Sequence, residues 1–424
     1  MKPKFIIKIV TATLLSAALL VSCGDNEPPE RLKTDFVYTE SDDYPLYFGS
    51  SQIHDLKYNS GYIYKYYSGN LYRLNPRTGN VTYVCGDPLC LHNSADCPLY
   101  GMLGIYHLTD SGELCYNIKY TTVTKNQLTG ETEREKYNQF VHYDAENQKK
   151  IVIDEIGEQS SYYGPEIYSG KWRIYMGQEY DAENDRLIYG MRRADITTGK
   201  NSFWGGEEQS DGSFKPLENA APLFALDGRF YFNDGKYIFS LDENGKNREN
   251  ALELNLPLGL GCILTDGTWL YYTSSDRQSI LRTNLRNQKT ETLVDDPEYT
   301  GLSFILTKDH IYYQSGTEIV LGKADIPGYA ANEIVLSGEN FMRCRHDGSE
   351  KTPVFTFEGE NAGIRPLYWT AVGNYIYCSY KWWDDSDGDG VFHREDQHFS
   401  DQNGCELLRI DLSTKETKKI TIVR

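Results

Sequence analysis

Aromatic and aliphatic residues alternate with polar ones from Tyr62 to Tyr67. A Ser-Gly-Asn turn follows, and a second alternating run covers residues 71–74. Asn75-Pro-Arg-Thr-Gly79 makes another tight turn before a third run at residues 81–84, so residues 61–84 read as an antiparallel meander. The same grammar returns at Gly228 (GRFYFNDGKYIFSLDENGK), Gly267 (GTWLYYTSSDRQSILRTNLRNQKTETLV), Asp309 (DHIYYQSG) and Gly373 (GNYIYCSY, resuming after an insertion as CELLRIDLSTKETKKITI). Two less regular copies stand between: ELCYNIKY with FVHYDAENQKKIVI, and WRIYMGQEY with RLIYGMRRADITTGK. In the sixth unit IVLGKADIPGYAANEIVLSG and FMRCRHDGSEKTPVF compete for the outer strands; the second is taken and the first read as an insertion. A strand-only unit repeating about every 40 residues predicts an all-β chain, a β-propeller of seven four-stranded blades. A β-sandwich or two smaller β domains is the competing architecture.

The N-terminus departs from this pattern. Lys2, Lys4 and Lys8 precede an apolar stretch at residues 9–21 that is too short to span a membrane stably. It ends in Leu20-Val-Ser-Cys23, which resembles a bacterial lipobox. That resemblance implies a lipoprotein signal peptide over residues 1–22, removal of it, and acylation of Cys23. The protein is then tethered outside the cytoplasm, at the cell surface, since each buried methylene adds about 0.8 kcal/mol to membrane partition. Residues 23–43 are acidic and carry Pro28-Pro29, and read as a flexible spacer; the propeller is expected over residues 44–424. Asp35-Phe-Val-Tyr38 is a candidate closing strand for the last blade. With 43 Lys and Arg against 61 Asp and Glu, a net charge of -18, the chain has no basic patch for phosphate, and nucleic acid is excluded as a partner.

Three cysteines stand close together in VCGDPLCLHNSADCPLY: Cys85, Cys90 and Cys97, with His92 among them. This stretch, with the repeated strand grammar, resembles a family of lipid-anchored or secreted gut Firmicutes proteins described as propellers similar to those of low-density-lipoprotein-receptor relatives. The resemblance implies fold and location; no reaction comes with it. Physically, three thiols and an imidazole offer soft ligands for tetrahedral Zn²⁺. An exported chain also forms disulfides, within the cluster or from one of its cysteines to Cys115. Reduced buried thiols are the third reading. Cys262, Cys344, Cys378 and Cys405 fall on strand-like segments, with Cys378 and Cys405 expected to face each other in the last blade.

Between residues 381 and 404 the last unit carries Asp385-Ser-Asp387-Gly-Asp389-Gly390, the opening of a calcium loop. Val391 adds a carbonyl, and His393 and Asp396 are candidates to complete a Ca²⁺ shell over residues 385–396. The twelfth position is Asp rather than Glu, and the alternative is a solvated acidic turn. Trp382, Trp383 and Phe392 beside it are candidates for stacking on a sugar ring or a partner side chain, or else for covering the blade. No nucleophile elbow, zinc-hydrolase histidine pair, phosphate loop or dinucleotide fingerprint is present, and no catalytic residue is assigned. These features point to a lipid-anchored extracytoplasmic propeller that binds or scaffolds a protein or glycan ligand without catalysis. A carbohydrate-active hydrolase or lyase and an envelope-complex assembly factor are the alternatives.

Overall fold

The computed structural model describes residues 43, 45, 56–59, 61–67, 70–85, 90, 94, 97–108, 113–125, 132–144, 149–155, 166–181, 185–210, 214–254, 263–297, 303–316, 319–328, 333–336, 340–401 and 405–422. Cys23, His92, Cys262 and residues 35–38 lie outside them. Seven antiparallel sheets follow one another over residues 56–83, 102–155, 167–203, 221–253, 263–295, 304–356 and 365–421. Each is built on four strands laid side by side in chain order. The sixth sheet takes Asn340–Arg345 and Thr352–Thr356 as its outer pair, as the sequence pattern expects, and Ile319–Ala324 and Glu333–Leu336 form an inserted hairpin. The chain is a β-propeller.

The doubled aromatics explain the stacking. A blade sits between two neighbours, so both faces of each strand must be apolar, unlike a strand with one wet face. In Arg229–Asn233, Phe230 and Phe232 pack toward the third sheet, while Tyr231 packs toward the fifth. Tyr271 and Tyr272 divide in the same way between opposite faces of the fifth sheet. Buried clusters join the sheets in succession: Leu71 with Tyr116, Phe140 with Ala194, Met191 with Phe239, Ile238 with Leu270, and Phe341 with Ile376 are members of such joints. One further cluster joins the fifth sheet to the sixth and the seventh to the first, through Leu293, Leu306, Tyr377, Leu407 and Ile63. The Tyr377 hydroxyl donates to the Pro76 carbonyl at 2.6 Å across the closing joint. All four main strands of the last sheet come from residues 365–421. Among the described residues closure is thus by side-chain packing.

Strands alternate in direction, so every first-to-second and third-to-fourth turn lies at one end of the propeller. We call it the turn end. The second-to-third connections and the sheet-to-sheet linkers leave from the other, the insertion end. At the turn end one device recurs. Asn75, Asp195, Asp242, Asn284, Asp347 and Asp411 each accept the N–H of the residue two further on, at 2.9 to 3.0 Å. This is an Asx turn, in which a short side chain replaces a missing backbone acceptor. The N-terminal segment docks here as well. The Asp43 carboxylate takes the Asp309 N–H at 2.9 Å and lies 2.7 Å from His310 Nδ1, its carbonyl takes the Gly373 N–H at 2.5 Å, and Pro45 bridges Thr307.

Candidate binding face and its metal-type clusters

Elaboration is confined to connections that leave from the insertion end. In the second sheet, Leu114–Lys125 and Thr132–Asp144 pair along their whole length, well beyond their neighbours in the sheet. In the third, Trp172–Asp181 and Arg186–Asp195 do the same. The second-to-third connections of the sixth and seventh sheets are insertions, and they meet. Ile319–Ala324 pairs in parallel with Val391–Phe392, the Lys323 N–H donates to the Gly390 carbonyl at 3.2 Å, and the Asp325 N–H to the Phe392 carbonyl at 2.9 Å. Gly322 permits the approach: a Cβ there would stand 2.8 Å from the Gly390 oxygen and 2.8 Å from the Phe392 ring.

The acidic loop hangs from this joint. Asp385, Asp387 and Asp389 bring carboxylate oxygens within 4.8 Å of one another, as the D-x-D-x-D-G spacing expects. Asp385 accepts the N–H groups of Gly388 and Gly390, each at 2.9 Å, with Gly390 at φ +77°. What burial Asp385 has works to raise its pKa, and the Gly390 and Gly388 N–H groups bring it below the ordinary value. The other expected Ca²⁺ ligands make contacts of their own. The Asp396 carboxylate accepts the His393 N–H at 2.7 Å, His393 Nδ1 faces Asp325 at 4.0 Å, and Val391 is a strand residue of the insertion joint. Among the described side chains, the carboxylates that gather are those of Asp385, Asp387 and Asp389.

Trp382, Trp383 and Phe392 pack among themselves and their neighbours. Trp382 stacks on His398 with ring centroids 5.2 Å apart and lies 5.5 Å from Tyr380. Trp383 meets Phe392 edge-on at 5.8 Å, and Phe392 is buried. The Trp383–Phe392 contact joins the insertion to the strand it leaves.

Cys85, Cys90 and Cys97 lie in the linker between the first and second sheets, with their sulfurs all within 4.8 Å of one another. Cys85 and Cys97 are buried beside Tyr64, Leu99, Met102, Tyr116 and Tyr143. Burial pushes the Cys97 thiol up to about 12, against the Leu99 N–H directed at its sulfur. The Cys97 N–H donates to the Ser94 carbonyl at 3.0 Å, and the Tyr116 hydroxyl to the Pro98 carbonyl at 2.6 Å, which fixes the loop on the second sheet. Cys115 packs on the opposite face of that sheet, toward the third, so the cluster does not extend to it. Cys378 and Cys405 lie on opposite faces of the last sheet rather than facing each other: Cys378 packs toward the sixth sheet and Cys405 toward the first. For Cys115 and Cys378 a single residue of offset in the strand decides the face; Cys405 precedes its strand.

One polar group was not foreseen. Arg173 is fully buried between the second and third sheets, 3.3 Å from the Phe140 ring centroid and 3.8 Å from that of Tyr175, and bonds both Glu166 oxygens at 3.0 and 2.5 Å. The Tyr168 hydroxyl donates to the same carboxylate at 2.6 Å. With no exposed surface on Arg173, this constellation is a joint and not a substrate site. The alternation of WRIYMGQEY places Arg173 opposite Trp172 in direction, which was the only available sign. His346 is likewise structural, with Nε2 2.9 Å from the Thr307 carbonyl and its own carbonyl accepting from Arg282 at 2.8 Å.

No protein-family model matches the chain, and no curated relative matches it. Among solved structures it is similar to an oligogalacturonate lyase from Vibrio parahaemolyticus, at 13% identity over 90% of this chain and 91% of that one, TM-score 0.40. It is also similar to AztD of Citrobacter koseri, at 9% identity over 85% and 94% of the two chains, TM-score 0.37. A third, YjhT, has 10% identity over 89% and 98%, TM-score 0.36. At such identities and scores these likenesses say nothing about what the chain binds or does.

Proposed function

We propose that the chain is a lipid-anchored extracytoplasmic binding module that presents the insertion end of its propeller to a protein or glycan ligand. The observation that carries this reading is the opposition of the two ends. Asp43 is held at the turn end by Asp309, His310 and Gly373, whereas the two joined insertions and the two extended hairpins leave from the other end. Cys23 precedes Asp43 by a spacer whose extended reach is at most about 70 Å. A tether at Cys23 enters the domain at the turn end, and the insertion end is the one opposite that point of entry. Variable connections on a rigid scaffold are where binding residues concentrate.

The test has two parts. Mass spectrometry of membrane-extracted protein should find diacylglyceryl on an N-terminal Cys23, and Cys23→Ser should leave the protein uncleaved or released. Photoreactive residues at Tyr189 and Asp389 should then give adducts with a protein or glycan in intact cells, and the same residues at Glu243 and Asn287, on the turn end, should give none. An unmodified N-terminus, or adducts from the turn end alone, would overturn the reading. Cleavage of a polysaccharide by the purified chain would overturn its non-enzymatic part.

A further inference from the structure

The cluster between the first two sheets takes no part in that binding reading, and its geometry carries a separate conclusion. We propose that Cys85, Cys90 and Cys97 are three ligands of one soft divalent cation, Zn²⁺ by the chemistry of the donors, and that this site fixes the linker to the first and second sheets.

Three sulfurs mutually within 4.8 Å make a triangle rather than a pair. Around a tetrahedral zinc with Zn–S near 2.3 Å, neighbouring sulfurs stand about 3.8 Å apart, so small side-chain rotations close this triangle onto one ion. A disulfide uses the same triangle poorly. Joining any two sulfurs leaves the third within reach of the new bond, where thiol–disulfide exchange moves the link from pair to pair. Binding a cation uses all three: three S–H bonds are lost, three M–S bonds form, and three protons leave to solvent. The product of a 2+ ion and three thiolates carries a charge of about -1. Two groups beside it suit that charge. The Leu99 N–H is directed at the Cys97 sulfur, and the Lys150 ammonium lies within electrostatic range of the same residue. Outer partners of this kind orient ligands and raise affinity for the ion. The apolar and aromatic wall from Leu99, Met102 and Tyr116 excludes water from Cys97. Burial of Cys97 makes a bare thiolate expensive and favours S–H, so the ion must displace that proton and its binding should strengthen as pH rises.

The experiment uses the whole mature chain, exported and purified without chelator. Elemental analysis should find about one zinc per chain, falling by about tenfold or more in Cys97→Ser and Cys90→Ser. Exchange with Co²⁺ should give a sulfur-to-cobalt charge-transfer band of intensity appropriate to three thiolates. Cys90→Ser should weaken it, while Cys90→His, which keeps a ligand at that position, should retain the metal. Circular dichroism confirms that each variant keeps its strand content, so loss of metal is separable from loss of fold. Two results would overturn the proposal. One is a cross-linked peptide joining any two of the three cysteines in protein alkylated before lysis. The other is a folded chain in which all three thiols react with alkylating reagent and no Co²⁺ is taken up. Neither result bears on which end of the propeller binds ligand, so the two proposals fail separately.

Discussion

The two ends of the propeller are built on opposite principles. At the turn end, six sheets close the third-to-fourth turn with the same Asx device, using Asn75, Asp195, Asp242, Asn284, Asp347 or Asp411. At the insertion end the sheets differ. The second and third extend their hairpins, the sixth and seventh join two insertions, and the fourth closes tightly, with Asn233 accepting the Gly235 N–H at 2.8 Å. A local side-chain bond repeated around a ring makes a uniform base, because each turn is satisfied without help from its neighbours. Contacts between insertions depend on both partners, so that end changes from sheet to sheet while the base does not. The scaffold lies at one end and the variable surface at the other.

The sharpest way to break this comparison is at Phe392, buried where the two insertions meet. Phe392→Ala removes a buried ring, a loss that costs about 3–5 kcal/mol where the site cannot collapse. If the insertion joint is independent of the base, that cost appears locally. Hydrogen exchange should show the Lys323 and Asp325 amides losing protection by about a hundredfold or more, with the Gly79 and Gly199 amides of the turn end unchanged. Equal loss at both ends would mean that the ends form one cooperative unit.

A smaller effect is expected at the base. The Asp411 carboxylate accepts the N–H groups of Ser413 and Thr414, the Ser413 hydroxyl and the Asn374 amide. Asp411→Ala should lower global stability to urea by about 1–2 kcal/mol, the net value of one or two such bonds. Asp385→Ala deletes the equivalent bonds at the insertion end and should leave the urea midpoint unmoved. Equal shifts for the two variants would erase the distinction.

Acid should act on the base through the same turns. Burial opposes ionisation of Asp195, but Thr197 and Lys171 hold its pKa down to about 2; Lys246, Ser349 and Ser413 N–H or hydroxyl groups lower those of Asp242, Asp347 and Asp411. A carboxyl whose folded pKa is depressed stabilises the fold fully above its unfolded value of about 3.9 and loses that contribution as pH falls through the folded value. Stability should therefore fall between about pH 4 and pH 2. Asn75 and Asn284 serve the same turns without titrating. Replacing the four aspartates by Asn should flatten the slope of melting temperature against pH in that range and lower stability at pH 7, because the contribution of the ionised carboxylates is lost at every pH. An unaltered slope would place acid sensitivity elsewhere.

The base was far more legible in the sequence than the insertion end. Gly228, Gly267 and Gly373 announce first-to-second turns, and NPRTG or DENGK announce third-to-fourth turns, because both devices are local and act within a few residues. The competition for the sixth sheet's outer strands also resolved as the sequence reading took it, with residues 319–336 as the insertion. Neither the pairing of residues 319–324 with residues 391–392 nor the arrival of Asp43 at His310 has a local signature. Both depend on which sheets the ring makes adjacent. Spacing gathered Asp385, Asp387 and Asp389, and Cys85, Cys90 and Cys97, since each set lies on one short loop. It gave no sign that Asp396 bonds to His393 within one turn, and it expected Cys378 and Cys405 to face each other where the fold puts them on opposite faces of the last sheet.

The smallest expected effect is at Asp387, and its sign carries more information than its size. Three carboxylates with oxygens within 4.8 Å of one another repel, and an ionised Asp387 adds to that repulsion without being needed by the Gly388 and Gly390 bonds, which go to Asp385. Asp387→Asn keeps the side chain's shape and its carbonyl acceptor while removing a charge. In chelator at low salt, the variant should protect the Lys323 and Asp325 amides about twofold better than the wild type, a gain that shrinks as salt screens the loop. No such change should reach the turn end, where the carboxylates stand apart in separate turns. Millimolar calcium makes the same comparison decisive for the sequence-based expectation of a Ca²⁺ loop. If an ion joins the three carboxylates, deleting one ligand charge costs affinity, so Asp387→Asn becomes less protected than the wild type and the sign reverses. If the sign is the same with and without calcium, the loop is a solvated acidic turn whose glycines and aspartates serve only to bring Val391 and Phe392 against the neighbouring insertion.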